Sequence, residues 1–171
     1  MIAWLKELAA ELEQWEARIR TLQQRMAPLV EACGSTFTHE VGIGVVSAAE
    51  LIVAVGDPAR FRSEGAFGRW CGVAPVAVSS GEGDGPSRRH RLDLLGNRNV
   101  NRILYTMSVT QARHHEPGRA FLARKRLEGK TAKEARRAHM RQLAKRIIRR
   151  MWADQKKRRF SDVASVDVVA A

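Results

Sequence analysis

The first thirty residues repeat with a period of seven. Leu5, Leu12, Ile19 and Met26 form one row, and Leu8, Trp15, Leu22 and Leu29 form a second, offset by three. Apolar residues spaced this way occupy the a and d positions of a heptad, here through four heptads. Glu, Gln, Lys and Arg fill most of the other sites, and Pro28 falls near the end. The pattern predicts an amphipathic helix over residues 1–31 whose narrow apolar seam needs a partner helix. That partner is either a second chain, giving a dimer through residues 5–29, or a later helix of the same chain. So strict a seam favours pairing between chains.

Gly34 and small polar residues break the pattern between Cys33 and Glu40. Gly42 and Gly44 then bracket Ile43 ahead of a small apolar helix from about Val46 to Val55, which Gly56-Asp57-Pro58 ends. Residues 41–57 resemble the second half of a helix-hairpin-helix, in which glycines allow a tight turn and the next helix offers backbone N–H groups to a phosphate. A plain structural turn accounts for Gly42 and Gly44 equally well. Ser63 caps a short helix through Trp70, and Phe61, Phe67 and Trp70 supply core aromatics. From Gly72 to Arg91 glycine and proline crowd a long loop, and loops of that length are uncommon unless they act.

Helical periodicity returns from Arg98 to His114, with Val100, Ile103, Leu104 and Met107 on one face. Pro117-Gly118 punctuates, and a further helix follows from about Arg119 to Leu127. Thr131 with Glu134 makes a capping box that opens a long helix to about Lys157. Its buried stripe is Ala135, Ala138, Leu143, Ile147, Ile148, Met151 and Trp152. Arg136, Arg137, Arg141, Lys145, Arg146, Arg149 and Arg150 cover much of the rest. The tail over 161–171 reads as disordered, and Val73 to Ser79 is the one weak strand signal. The expected fold is all-α: a coiled-coil helix, a core over 41–160 entered through the helix-hairpin-helix-like segment, a Gly-rich loop over 72–91, and basic helices over 98–158.

Charge sharpens this picture. The formal net charge is +12, and residues 88–159 hold 23 of the 30 Lys and Arg against five Asp and Glu. The first 85 residues carry seven basic and eleven acidic side chains. Such asymmetry points to a polyanion bound by the second half, nucleic acid before membrane. Cys33 and Cys71 lie far apart with no zinc-ligand spacing and no disulfide framework, as expected of two buried thiols in a cytosolic protein. The N-terminus is too acidic and periodic for a signal peptide, and no apolar run approaches the roughly 18 residues of a membrane span. A cytoplasmic, nucleoid-associated protein is the expectation.

Four ordered blocks then resemble a known family. They are VGIGVVSAAELIVAVGDPARFRSEGAFGRWCGVAP from Val41, the Ser-Ser-Gly at Ser79 to Gly81, RHRLDLLGNRNVNRILY from Arg89 to Tyr105, and RAFLARKRLEGKTAKEARR from Arg119 to Arg137. Together they look like the C-terminal domain of the insertion-sequence one-ten, one-sixteen and nine-zero-two family of transposases, whose better-known members are RNA-guided recombinases. The heptad helix also sits where that family places its coiled coil. The resemblance implies that Ser80, downstream of Gly72 and Pro75, attacks a DNA phosphodiester, with Ser79 as the fallback residue. It implies DNA as partner, a guide RNA as a further one, and a tetramer assembled on DNA. Family members carry an acidic, magnesium-holding ribonuclease-H-like domain ahead of the coiled coil. This sequence starts at the coiled coil, so no cofactor is expected within it, and catalysis by it alone is not expected. Glu82 and Asp84 also stand where the family tends to be basic.

A serine hydroxyl needs a base or a metal to become a nucleophile, and guanidinium groups stabilise the charge gathered on a phosphate in the transition state. Arg88, Arg89 and Arg91 are near enough in sequence for that role. Arg98, Arg102, Arg136, Arg137, Arg141, Lys145 and Arg149 are the further nucleic-acid-binding candidates, with Gly42 and Gly44 at the turn. His90, His114, His115 and His139 read as surface or DNA-facing residues, His90 doubling as a proton shuttle. Asn97, Asn99 and Asn101 either touch sugar and bases or cap and turn the chain. A strand-cleaving transposase half is the leading reading. The alternative is a non-enzymatic DNA- or RNA-binding dimerisation module, and a helix-hairpin-helix repair accessory comes third.

Overall fold

The computed structural model describes residues 2–77, 90–92 and 96–169, with side chains described over 2–75 and 96–158. Six helices make up nearly all of it: α1 (Ile2–Ala32), α2 (Val45–Val55), α3 (Glu64–Trp70), α4 (Arg98–His114), α5 (Glu116–Leu127) and α6 (Ala132–Val169). Two three-residue strands, β1 (Pro75–Ala77) and β2 (His90–Leu92), pair antiparallel with Val76 opposite Arg91. The all-α class expected from the periodicity holds.

Helix starts follow local chemistry. Ser63 Oγ accepts the Ala66 N–H at 3.1 Å and caps α3, and Asn97 Oδ1 accepts the Val100 N–H at 3.0 Å and caps α4. At α6 the capping box closes: Glu134 Oε2 accepts the Thr131 N–H at 2.9 Å, while Thr131 Oγ1 accepts the Glu134 N–H at 3.3 Å. Helix α5 begins at Glu116, three residues before the expected Arg119, because Pro117 sits in the first turn, where a missing N–H costs nothing. Gly118 is buried there, and a Cβ on it would come 2.9 Å from Gln111 Cβ. Helix α6 continues to Val169, past the expected end near Lys157 and into the tail expected to be disordered, since no Gly or Pro after Thr131 stops it.

The core lies between α2, α3, α4 and α6. Leu51, Phe67, Ile103, Leu104, Leu143 and Ile148 are fully buried there, with Phe37 and Val73 from the connections. The α6 stripe is as the sequence predicts, with Trp152 half-buried and its indole N–H on Pro58 O at 3.0 Å. Only the end of α1, Met26 and Val30, packs on this core. The seam ahead of it stands open: Leu5, Leu12, Trp15 and Ile19 are each at least half exposed.

A buried polar clasp fixes where α1 joins the body. Glu40, 9% exposed, receives Arg146 on one carboxylate oxygen and Arg150 on the other at 2.7 Å. Asp154, also buried, accepts the Thr36 N–H at 3.0 Å and the Thr36 hydroxyl at 3.1 Å, and Arg150 donates to Thr36 O at 3.0 Å. Three turns of α6 thus hold the short segment between α1 and α2.

His139 corrects the sequence reading. It is 3% exposed, and its Nδ1 lies 2.9 Å from the hydroxyl of buried Ser108. Burial, then Arg146 and His115, push its imidazole down to about 4. The folded state therefore resists a proton that the unfolded chain takes up below about pH 6.5. Stability contributed by neutral His139 is full above about pH 6.5 and is lost as pH falls towards 4, by about 2–3 kcal/mol. Urea midpoints at neutral pH and at about pH 4.5 should show that loss, and His139→Gln should show less of it.

Candidate DNA-handling junction

Two motifs far apart in sequence meet at the end of α3. Gly96 lies so close to Gly72 that a Cβ on Gly96 would come 2.3 Å from Gly72 N and 2.4 Å from Gly72 Cα. The Asn97 N–H donates to Trp70 O at 2.7 Å. Asn101, one turn into α4, donates from Nδ2 to Cys71 O at 2.9 Å and to Gly72 O at 3.3 Å. Gly72 itself takes φ of +68°, a conformation that favours glycine. The Gly-Val-Ala-Pro and Leu-Gly-Asn-Arg-Asn blocks are therefore two sides of one junction. The pairing of β1 with β2 extends it and brings together the ends of the 78–89 segment.

Ser80, Ser79, Arg88 and Arg89 lie outside the described residues, as do the side chains of Arg91 and His90 on β2. Asn97 and Asn101 serve as cap and tie, while Asn99 is exposed. Arg98 opens α4 beside the junction, exposed in a first turn that contains no acid. A cation at this positive helix end is unfavourable without an anion nearby.

The other basic candidates divide into two groups. Arg102 pairs with Glu50 at 2.7 Å, and Lys145 and Arg149 share Glu64. Hydrogen bonding from Arg149 holds the Glu64 carboxyl below its ordinary range. Arg136 stacks on Tyr105, 5.3 Å from the ring centre, and donates to its hydroxyl at 3.2 Å. Arg137 and Arg141, both half-exposed, keep no ion pair among the described residues. At the glycine turn, Gly42 has φ of +93°, and a Cβ there would lie 3.0 Å from Met107 Cα, so packing requires that glycine. Gly44 differs: it is the N-cap of α2, exposed, with nothing within 4 Å of its Cβ position.

The remaining reactive groups fall elsewhere. Cys71 is buried, which pushes its thiol up and keeps it unreactive, whereas Cys33 is half-buried rather than buried as expected. His114 is exposed and His115 half-buried. Among the described residues no three His, Cys, Asp or Glu side chains come together in a way that could hold a metal ion. Glu7, Glu11, Glu13 and Glu16 stand exposed along α1. Among the described residues no helix is long and apolar enough to cross a membrane.

A model of the family described as Transposase IS116/IS110/IS902 family matches residues 36–123, just over half of the chain. The matched span holds α2, α3, α4 and the whole junction. The chain is also 29% identical over 130 residues to a protein of Streptomyces coelicolor named "Insertion element IS110 uncharacterized 43.6 kDa protein". That match covers 75% of the chain but 31% of the relative, so the chain spans about a third of that protein's length.

Proposed function

Since the chain belongs to the Transposase IS116/IS110/IS902 family, we propose that it is the DNA-binding, strand-cleaving part of a transposase, with Ser80 as its nucleophile. The observation that carries this reading is the junction. Gly72 and Gly96 touch backbone to backbone, Asn101 ties both sides, and the β1–β2 pair holds the two ends of the segment containing Ser80. A rigid root is what positions a nucleophile on a scaffold.

In the proposed step the Ser80 oxygen forms a bond to a DNA phosphorus and the bond from phosphorus to one strand oxygen breaks. The serine loses its proton and the leaving oxygen gains one, giving a free hydroxyl end and a phosphoserine link. One ester replaces another, so reversal reseals DNA without an external energy source. Arg98 at the start of α4 and Arg88, Arg89 and Arg91 beyond the loop supply guanidinium groups for the phosphate. Gly44 at the exposed start of α2 is a further phosphate contact. Magnesium belongs, in this reading, to a separate acidic domain. The open α1 seam pairs with a second copy of the chain, a tetramer forms on DNA, and a guide RNA is the second nucleic-acid partner.

The test is nicking of supercoiled DNA with magnesium, with an acidic domain of a longer relative supplied in trans. Ser80→Ala should remove nicking by at least about a thousandfold while DNA binding holds. Nicking that survives the substitution would reject Ser80, and loss of binding in wild type would reject the reading altogether.

A further inference from the structure

A groove of about 440 Å³ opens between α3, α5 and α6, with Pro75 of β1 at its edge. We propose that it holds a single strand of DNA and feeds it towards the junction, which rests on the transposase reading above. Lys125, Lys130, Arg141 and Lys145 line it. Lys125 is held by Glu128 at 2.7 Å and Lys145 lies 4.0 Å from Glu64, but Arg141 has no ion pair among the described residues. Lys125 and Arg141 are half-buried and Lys130 and Lys145 exposed, and cations facing one groove repel one another unless a polyanion enters.

Two features favour one strand over a duplex. Phe121 lines the groove and is half-buried, with Arg124 and Lys125 over its ring at 5.3 and 5.7 Å. Aromatic and basic side chains lining one groove suit unpaired bases and their backbone, because bases in a duplex are already stacked on each other. The wall opposite is made by Gly65 and Gly68 of α3. Glycine weakens a helix, yet packing requires neither: a Cβ on Gly65 would meet only Ser63 Oγ at 3.7 Å, and one on Gly68 only Val73 Cγ2 at 3.9 Å. Close approach of a ligand backbone accounts for glycine where the protein itself leaves room.

The test uses labelled oligothymidylate of roughly ten nucleotides, a length within the range that single-strand sites cover, beside a blunt duplex, read by fluorescence anisotropy on the full chain. Arg141→Glu should weaken oligothymidylate at least about tenfold, and duplex binding less than about threefold. Gly65→Ala with Gly68→Ala should leave the melting temperature unchanged or raised while weakening oligothymidylate about fivefold or more. Equal losses on both DNAs, or oligothymidylate binding unmoved by either variant, would overturn the groove. If wild type binds duplex but not oligothymidylate, the groove fails and the DNA-binding reading stands. If wild type binds neither, the transposase reading fails with it.

Discussion

Gly96→Ala is expected to destabilise the fold by about 3 kcal/mol or more and to abolish any DNA cleavage that survives folding. The added methyl would sit 2.3 Å from Gly72 N, 2.4 Å from Gly72 Cα and 2.9 Å from Cys71 C, all of them backbone atoms. Those atoms cannot yield cheaply. The Gly72 N–H is bonded to Arg69 O at 2.9 Å, and both the Cys71 and Gly72 carbonyls accept from Asn101. The remaining way to relieve the clash is to separate α3 from α4, which parts β1 from β2. Urea unfolding measures the first effect and the nicking assay the second. Gly44→Ser is the control, because nothing lies within 4 Å of its Cβ and serine is a good N-cap. It should hold stability within about 0.5 kcal/mol.

Glu40→Ala is expected to cost about 3–4 kcal/mol. Its carboxylate is buried and receives both Arg146 and Arg150, whose side chains are 46% and 33% exposed. Removing the acid leaves two guanidinium groups one turn apart without their common partner, and part of that charge stays away from water. Arg150 also donates to Thr36 O, so the loss extends to the segment that anchors α1. Thermal unfolding should show the large drop, and Glu40→Gln should recover only the part due to neutral hydrogen bonding. A loss below about 1 kcal/mol, the range of a surface ion pair, would show that the clasp is solvated.

Periodicity was enough to read α4 and α6, which bury an apolar stripe, and α1, whose heptad rows stand open. The α6 stripe and its capping box were legible residue by residue, and so were the Ser63 cap and the exposed seam. His139 was legible in principle: it falls four residues after Ala135 and four before Leu143, within the stripe, but its residue type argued for the surface. β1 falls inside the weak strand signal over Val73 to Ser79, whereas β2, three residues long, was too short to show alternation. Their pairing depends on a contact across the 78–89 segment that no local pattern encodes.

The site was legible by resemblance more than by chemistry. The two glycine-containing blocks stood out as words, yet nothing local says that Gly96 touches Gly72 or that Asn101 reaches back thirty residues to the Cys71 carbonyl. The basic face was harder still. Arg102, Lys145 and Arg149 looked like phosphate ligands, but their partners Glu50 and Glu64 lie 52 to 85 residues away in the chain. Lys125 and Lys130 drew no notice, since only the packing of α5 against α6 and α3 puts them in one groove with Arg141.

The claim that Ser80 is the nucleophile meets its most direct test in mass spectrometry of the protein trapped on cleaved DNA. The chain is incubated with DNA, magnesium and the acidic domain in trans, digested with nuclease and protease, and searched for a nucleotide remnant. The account predicts a phosphodiester-linked remnant on Ser80, retained in Ser79→Ala and absent in Ser80→Ala. Cleaved DNA that carries no protein, or an adduct that persists in Ser80→Ala, would contradict it.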